Sequence, residues 1–215
     1  AVPAVNKAAF PAVNVQDSEN SVTITGEGFA VAFDKKAGVM TSFKKGDAEL
    51  LKSGPVPNFW RAPTDNDFGN GLHRRSRVWR TAGETRKVAN VTVAQKAKNS
   101  AEVVFKFDLV NDSNEVIASY KSVYTVLGSG DVLVDNSFKM TKADLPEIVR
   151  MGMNLEMPRK YDQFTYLGRG PQENYQDRNT GAFVGLYKQT VAEQYWKYVR
   201  PQENGNKTDV RWVAV

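Results

Sequence analysis

Arg150-Met151-Gly152-Met153-Asn154-Leu155-Glu156-Met157 carries an apolar side chain at every second position, with Arg, Gly, Asn and Glu in between. Successive side chains of an extended strand point to opposite faces, so this alternation predicts a β-strand with one buried face. Upstream, Val132, Val134, Phe138 and Met140 set against Asp135, Ser137, Lys139 and Thr141 repeat the pattern. Working outward, runs of β-branched and aromatic residues at 22–25, 29–33, 88–95, 102–109, 116–126, 164–167, 183–187 and 210–215 predict further strands. Lys36-Ala37-Gly38, Asn111-Asp112-Ser113-Asn114 and Gly128-Ser129-Gly130-Asp131 supply turn chemistry between them. Hairpin-length polar gaps and little helical periodicity argue for an antiparallel, all-β sandwich and against βαβ units. At most one short helix is expected, near residues 71–81. Two segments, 53–70 and 168–177, lack regular patterning and are rich in Pro, Gly, Asn and Asp. Unpatterned loops of that length in a compact domain usually have a task.

The chain has 215 residues, 41% of them hydrophobic, which suits one large all-β domain with a single core. Such a domain buries roughly 70% of the surface its unfolded form exposes and needs no disulfide or metal staple. The absence of cysteine excludes a disulfide framework and thiolate zinc sites, and it fits cytoplasm and periplasm equally. The net charge of +5 is modest and the two signs are interspersed. The one concentrated basic stretch, His73-Arg74-Arg75-Ser76-Arg77 with Trp79 and Arg80, reads as a solvated face rather than a nucleic-acid patch, because nothing else in the chain repeats it. No apolar run approaches the roughly 20 residues that span a bilayer, and the first residues lack the charged-then-apolar order of a signal peptide.

Residues 1–18, with Pro3 and Pro11 among small residues, read as an extended linker, and 19–215 as the sandwich domain. The strand pattern from Thr208 to Val215 stops without a turn residue, so the natural domain is expected to continue beyond it.

Three motifs remain: Phe59-Trp60-Arg61-Ala62-Pro63-Thr64-Asp65-Asn66-Asp67-Phe68-Gly69, Tyr166-Leu167-Gly168-Arg169-Gly170-Pro171-Gln172-Glu173-Asn174-Tyr175-Gln176-Asp177-Arg178, and Tyr198-Val199-Arg200-Pro201-Gln202-Glu203-Asn204-Gly205. In order and spacing they resemble the small-chain domain of the large bacterial β-galactosidases of glycoside hydrolase family two, over about 22–215. The resemblance implies a galactose mutarotase-like supersandwich that closes one side of a pocket built by an upstream barrel. It also implies that the acid and nucleophile glutamates belong to that barrel, that the parent uses magnesium, and that barrel and immunoglobulin-like domains of the same polypeptide are the partners. The tryptophan that the family's domain lends to the sugar lies beyond the position of Val215, so no Trp present inherits its role.

On their own chemistry, Glu173 and Glu203 in the repeated Pro-Gln-Glu-Asn form a tempting pair, since glycoside hydrolysis normally needs two carboxyl groups roughly 5–5.5 Å apart for retention. Loop glutamates more often bond backbone N–H groups or an arginine, and Arg169, Arg178 and Arg200 are close in sequence. Thr64-Asp65-Asn66-Asp67 fails the calcium-loop template, because Gly69 occupies a ligand position and Ser76 stands where a bidentate glutamate is due. Asx-turns and an ion pair from Arg61 to these aspartates account for it better. Core packing is favoured for Trp60 and Trp212 over sugar stacking, whereas Tyr195, Trp196 and Tyr198 cannot all face one side of a strand. His73, the single imidazole, sits amid arginines and is set aside as a general base.

The expectation is therefore a chain without catalytic residues, metal or cofactor, whose parent hydrolyses terminal β-D-galactosides such as lactose. Trp60, Arg61, Asp65, Asn66 and Asp67 on the first loop, Arg169, Glu173, Asn174, Tyr175 and Arg178 on the second, and Trp196, Glu203 and Asn204 on the third are its candidate pocket-wall or interface residues. A stand-alone carbohydrate-binding module and a mutarotase-like enzyme are the alternatives. Neither nucleic acid nor membrane is expected as a partner.

Overall fold

Turn residues with positive φ at Gly28, Gly38 and Gly46 fold residues 21–49 back and forth into hairpins. The computed structural model describes residues 7–215. In it β1 (Asn14–Asp17), β2 (Ser21–Gly26), β3 (Phe29–Asp34), β4 (Val39–Lys45) and β5 (Ala48–Glu49) form one antiparallel sheet in sequential order. β6 (Ser53–Asn58) and three short helices follow, α1 (Asp65–Asn70), α2 (Leu72–Arg75) and α3 (Trp79–Ala82). β7 (Lys87–Ala97), β8 (Ser100–Val110), β9 (Val116–Leu127) and β10 (Val132–Met140) make a second antiparallel meander. β11 (Gly152–Glu156) pairs with β6, and β12 (Gln163–Gly170) lies between β13 (Phe183–Thr190) and β14 (Trp212–Ala214). Every pairing is antiparallel, so the architecture is all-β as the sequence predicts.

The chain forms two compact units. The first comprises residues 7–60 and Ser76–Pro158, the second Arg61–Arg75 and Arg159–Val215. In the first, the alternation of β8 buries Ala101, Val103, Phe105, Phe107 and Leu109. Val22, Ile24, Val31 and Phe33 of the other sheet are buried in the same core. Phe33 joins the two layers, its ring 6.2 Å from Phe105 and 5.2 Å from Tyr124. Burying such a ring contributes about 1.5–3 kcal/mol. Trp79 on α3 is fully buried against Phe59 and Phe138, and its indole N–H donates to the Pro146 carbonyl at 3.0 Å. An indole can be buried only when that donor is satisfied.

The second unit is smaller, and Tyr166 on β12 is buried within it. A Cβ on Gly170 would lie 2.1 Å from the Tyr166 hydroxyl, so the phenol occupies space that only glycine leaves open.

Several expectations need correction. Instead of at most one short helix near 71–81 there are three, and α1 precedes that span. Thr64 caps it: its hydroxyl accepts from the Asp67 N–H while the Asp67 carboxylate accepts from the Thr64 N–H, a reciprocal pair that Asx-turn reasoning overlooks. Within the span expected to be linker, β1 pairs with β2 and Val13 is buried, while residues 1–6 lie outside the described residues. β6 forms in a stretch read as unpatterned, despite Pro55 and Pro57, because β11 is its hydrogen-bonded neighbour on one side only. The strand at β11 is as predicted, but Met151 and Leu155 are 59% and 54% exposed. A shift of register between Asn154 and Glu156 breaks the alternation, and only Met153 reaches the core.

Candidate functional site

Two carboxylates organise the loops of the second unit. Asp67, in the first turn of α1, is buried and takes Nη1 of Arg61 at 2.5 Å and the Thr64 N–H at 2.7 Å on the same oxygen. Burial alone would raise the Asp67 carboxyl. The Arg61 hydrogen bond and charge, together with the Thr64 donors, outweigh it and hold the acid below the usual aspartate range. The nearby Asp65 is exposed, receives Arg200 Nε at 3.5 Å, and has its N–H on the Gln202 side chain at 3.3 Å. Asn66 is exposed.

Glu173 is the second. Its Oε1 accepts from Arg178 Nε at 3.1 Å, from Arg178 Nη2 at 3.0 Å and from the Tyr198 hydroxyl. Burial, then the bond to Glu173, pushes the Tyr198 phenol up. Tyr175 links the two acid clusters, since the Arg61 and Arg178 guanidinium carbons lie 5.8 Å and 5.1 Å from its ring centroid. That is the range of cation–π attraction. The chain of contacts thus runs from Asp67 through Arg61, Tyr175 and Arg178 to Glu173 and Tyr198, entirely inside the second unit. Glu203 joins by its backbone N–H, 3.2 Å from the Pro63 carbonyl; burial would lower the Arg61 guanidinium, and Asp67 first, then Tyr175 and Glu203, raise it instead.

Both buried carboxylates are held by an arginine and a further donor, Asp67 through one oxygen and Glu173 chiefly through Oε1. No group of three or more His, Asp or Glu side chains that could hold a metal ion occurs among the described residues. His73 faces the Asp67 main-chain oxygen and the Arg74 side chain, each at 3.4 Å. The basic run is spread over two helices, with Arg75 donating to the Asn70 carbonyl at 2.8 Å and Arg77 paired to Asp112 at 2.9 Å.

Residues 25–215 match the family described as beta galactosidase small chain. The chain belongs to that family. It is 43% identical over its whole length to a beta-galactosidase of Priestia megaterium and 34% identical, over 95% of its length, to one of Halalkalibacterium halodurans. A beta-galactosidase of Lactobacillus delbrueckii subsp. bulgaricus is 32% identical over 93% of the chain. The small-chain domain spans about a fifth of the length of each of these relatives.

Other candidates fall in separate places within the small-chain domain. Trp60 belongs to the first unit, packs on its core, and exchanges hydrogen bonds with Asn58 at 2.8 and 3.1 Å. Asn174 is completely buried: its amide donates to the Arg169 and Gln172 carbonyls at 3.1 Å and accepts from the N–H and hydroxyl of Thr208. Arg169 binds Asp209 at 2.5 Å and the Ala182 carbonyl at 2.8 Å. These two side chains pin the second loop to the bend at Thr208 and Asp209 that precedes β14. Asn204 donates to the Trp196 carbonyl at 3.2 Å, and the Trp196 ring is 55% exposed. Trp212, expected in the core, is 44% exposed on β14. Sequence reasoning missed Thr208, Asn206 and Asp209 as partners, because they meet the second loop from more than thirty residues away. Asn174, three residues after the Gly170-Pro171 turn pair, was the available signal.

Proposed function

We propose that the chain is a support domain, without an acid or nucleophile of its own, of a β-galactosidase that hydrolyses terminal β-D-galactosides such as lactose with retention. One observation carries this reading: Asp67 and Glu173, the buried loop acids, are each bound to an arginine and to further donors. The names of the relatives, of which the chain spans a fifth, supply the activity of the parent. In this reading the loops at 60–69, 168–178 and 201–205 are stiffened so that they can wall a pocket built by an upstream barrel of the same polypeptide. Exposed apolar side chains such as Met151, Leu155, Phe183 and Leu186 are surfaces that barrel and immunoglobulin-like neighbours would cover. In this reading the magnesium of the parent is held by the rest of the polypeptide.

The test uses the intact enzyme. Glu173→Gln and Glu203→Gln, assayed by nitrophenol release at saturating substrate, should each keep kcat within about tenfold, with Glu173→Gln lowering thermal stability, whereas loss of a true general acid or base costs about 10²–10⁴-fold. A loss of that size with unchanged stability would overturn the proposal.

A further inference from the structure

Beside Glu173 lies a hollow with unpartnered polar atoms in its lining. Its volume is about 210 Å³, and Pro171, Gln172, Gln189, Glu193, Gln194 and Trp196 line it together with the edge of Glu173. That is several times the roughly 30 Å³ of one water and below the roughly 300–1,000 Å³ of a drug-sized pocket, so the space suits one small ring. Two of its glutamines carry buried side-chain oxygens, Gln189 Oε1 and Gln194 Oε1, that accept no hydrogen bond among the described residues. A buried acceptor without a donor is unfavourable, and its usual explanation is a missing partner. The terminal torsion of a glutamine is soft, so the Gln189 carbonyl can turn toward an incoming donor at little cost, whereas turning that of Gln194 strains the bond its amide donates to the Thr190 carbonyl at 3.1 Å.

The charges around the hollow are already committed. Glu193 accepts from the N–H and hydroxyl of Thr190, Glu173 is held by Arg178 and Tyr198, and no lysine or arginine is in the lining. An anion would find carboxylates and no cation. A neutral molecule rich in hydroxyl groups would find two waiting acceptors, and its C–H face would meet the exposed Trp196 ring. The Trp196 backbone is fixed by Asn204 and by the Tyr198 N–H, both bonded to its carbonyl, so the indole is presented from an anchored loop.

We propose that this hollow binds one ring of a neutral saccharide, with the Trp196 indole against the sugar face and the Gln189 and Gln194 carbonyls accepting from its hydroxyls. The site borders Glu173 but uses none of its hydrogen bonds, and it does not depend on the support role. Its failure would leave that role untouched.

The experiment is a titration of the 215-residue chain with methyl β-D-galactopyranoside and with methyl β-D-glucopyranoside, followed by NMR of indole and side-chain amide protons. Saturable shifts are expected at the Trp196 indole and at the Gln189 and Gln194 amides, with the Trp60 and Trp79 indoles unmoved. Trp196→Ala should weaken the affinity by about tenfold or more while leaving the rest of the spectrum in place, because the side chain is exposed. Selectivity between the two glycosides would say which hydroxyl the glutamines read. The inference is overturned if those three signals do not saturate with either glycoside, or if tetramethylammonium shifts them and the sugars do not.

Discussion

Arg178 approaches Glu173 so that its Nε and Nη2 lie 3.1 Å and 3.0 Å from one carboxylate oxygen, the same oxygen to which Tyr198 donates its hydroxyl. The Glu173 side chain is 5% exposed and that of Arg178 37%, so the acid is buried while the base can still reach water. Losing one partner of a fully buried pair costs about 3–5 kcal/mol. Because Arg178 can turn to solvent, Glu173→Gln should cost about 1–2 kcal/mol in urea unfolding. A variant as stable as the parent sequence would show that the cluster does not hold the loop.

Asp67 sets an acid limit on stability. Its carboxyl is held below the ordinary value of 3.8, against burial, by Arg61 and Thr64. A group depressed on folding contributes its stability above the unfolded value and loses it as pH falls through the folded one. Unfolding midpoints should therefore drop steeply below about pH 4, and Asp67→Asn should flatten that limb while lowering stability at pH 7 by about 2 kcal/mol. An unchanged acid limb in the variant would count against the assignment.

Tyr124 gives the opposite sign at the alkaline end. Burial in the core of the first unit pushes its phenol up to about 12, from an ordinary 10.0. The folded form keeps the proton longer, so the contribution is complete below about pH 10 and is lost as pH rises toward 12. Phenolate absorbance should show one tyrosine titrating last, and Tyr124→Phe should remove that step.

Gly54 is required by packing. A Cβ there would sit 1.7 Å from the Met40 carbonyl oxygen, and that neighbour is backbone with no rotamer to yield. Gly54→Ala should cost about 3 kcal/mol or more, read as a lower denaturation midpoint. A loss below about 0.5 kcal/mol would mean that β4 and β6 do not approach this closely.

How far the fold was legible follows from these contacts. β8 and β9 alternate cleanly because one face of each is buried, and their runs in sequence coincide with the strands. β4 was missed because a register shift between Ala32 and Phe33 of its partner, together with exposed Thr41 and lysines at its end, blurs the period of two. β6 was missed because Pro55 and Pro57 argue against a strand unless it has a free side. At β11 the period was right and the inference of burial wrong, since alternation reports a face suited to burial and not what covers it.

The site divides in the same way. An ion pair from Arg61 to an aspartate six residues on is readable from proximity, as is an arginine for Glu173. Tyr198 on Glu173 and Thr208 on Asn174 are not, because 25 and 34 residues separate the partners and only the fold of the second unit joins them. Nor does sequence distinguish the two Pro-Gln-Glu-Asn copies, of which one glutamate is locked by arginine and the other is anchored through its backbone.

The central claim is that these loop acids hold structure and perform no hydrolysis. Its most direct test is the release of nitrophenol from a nitrophenyl β-D-galactoside by the 215-residue chain alone, beside a control carrying both Glu173→Gln and Glu203→Gln. The expected result is no difference between the two and no turnover above buffer. Reproducible turnover by the chain that the double variant abolishes would contradict the account.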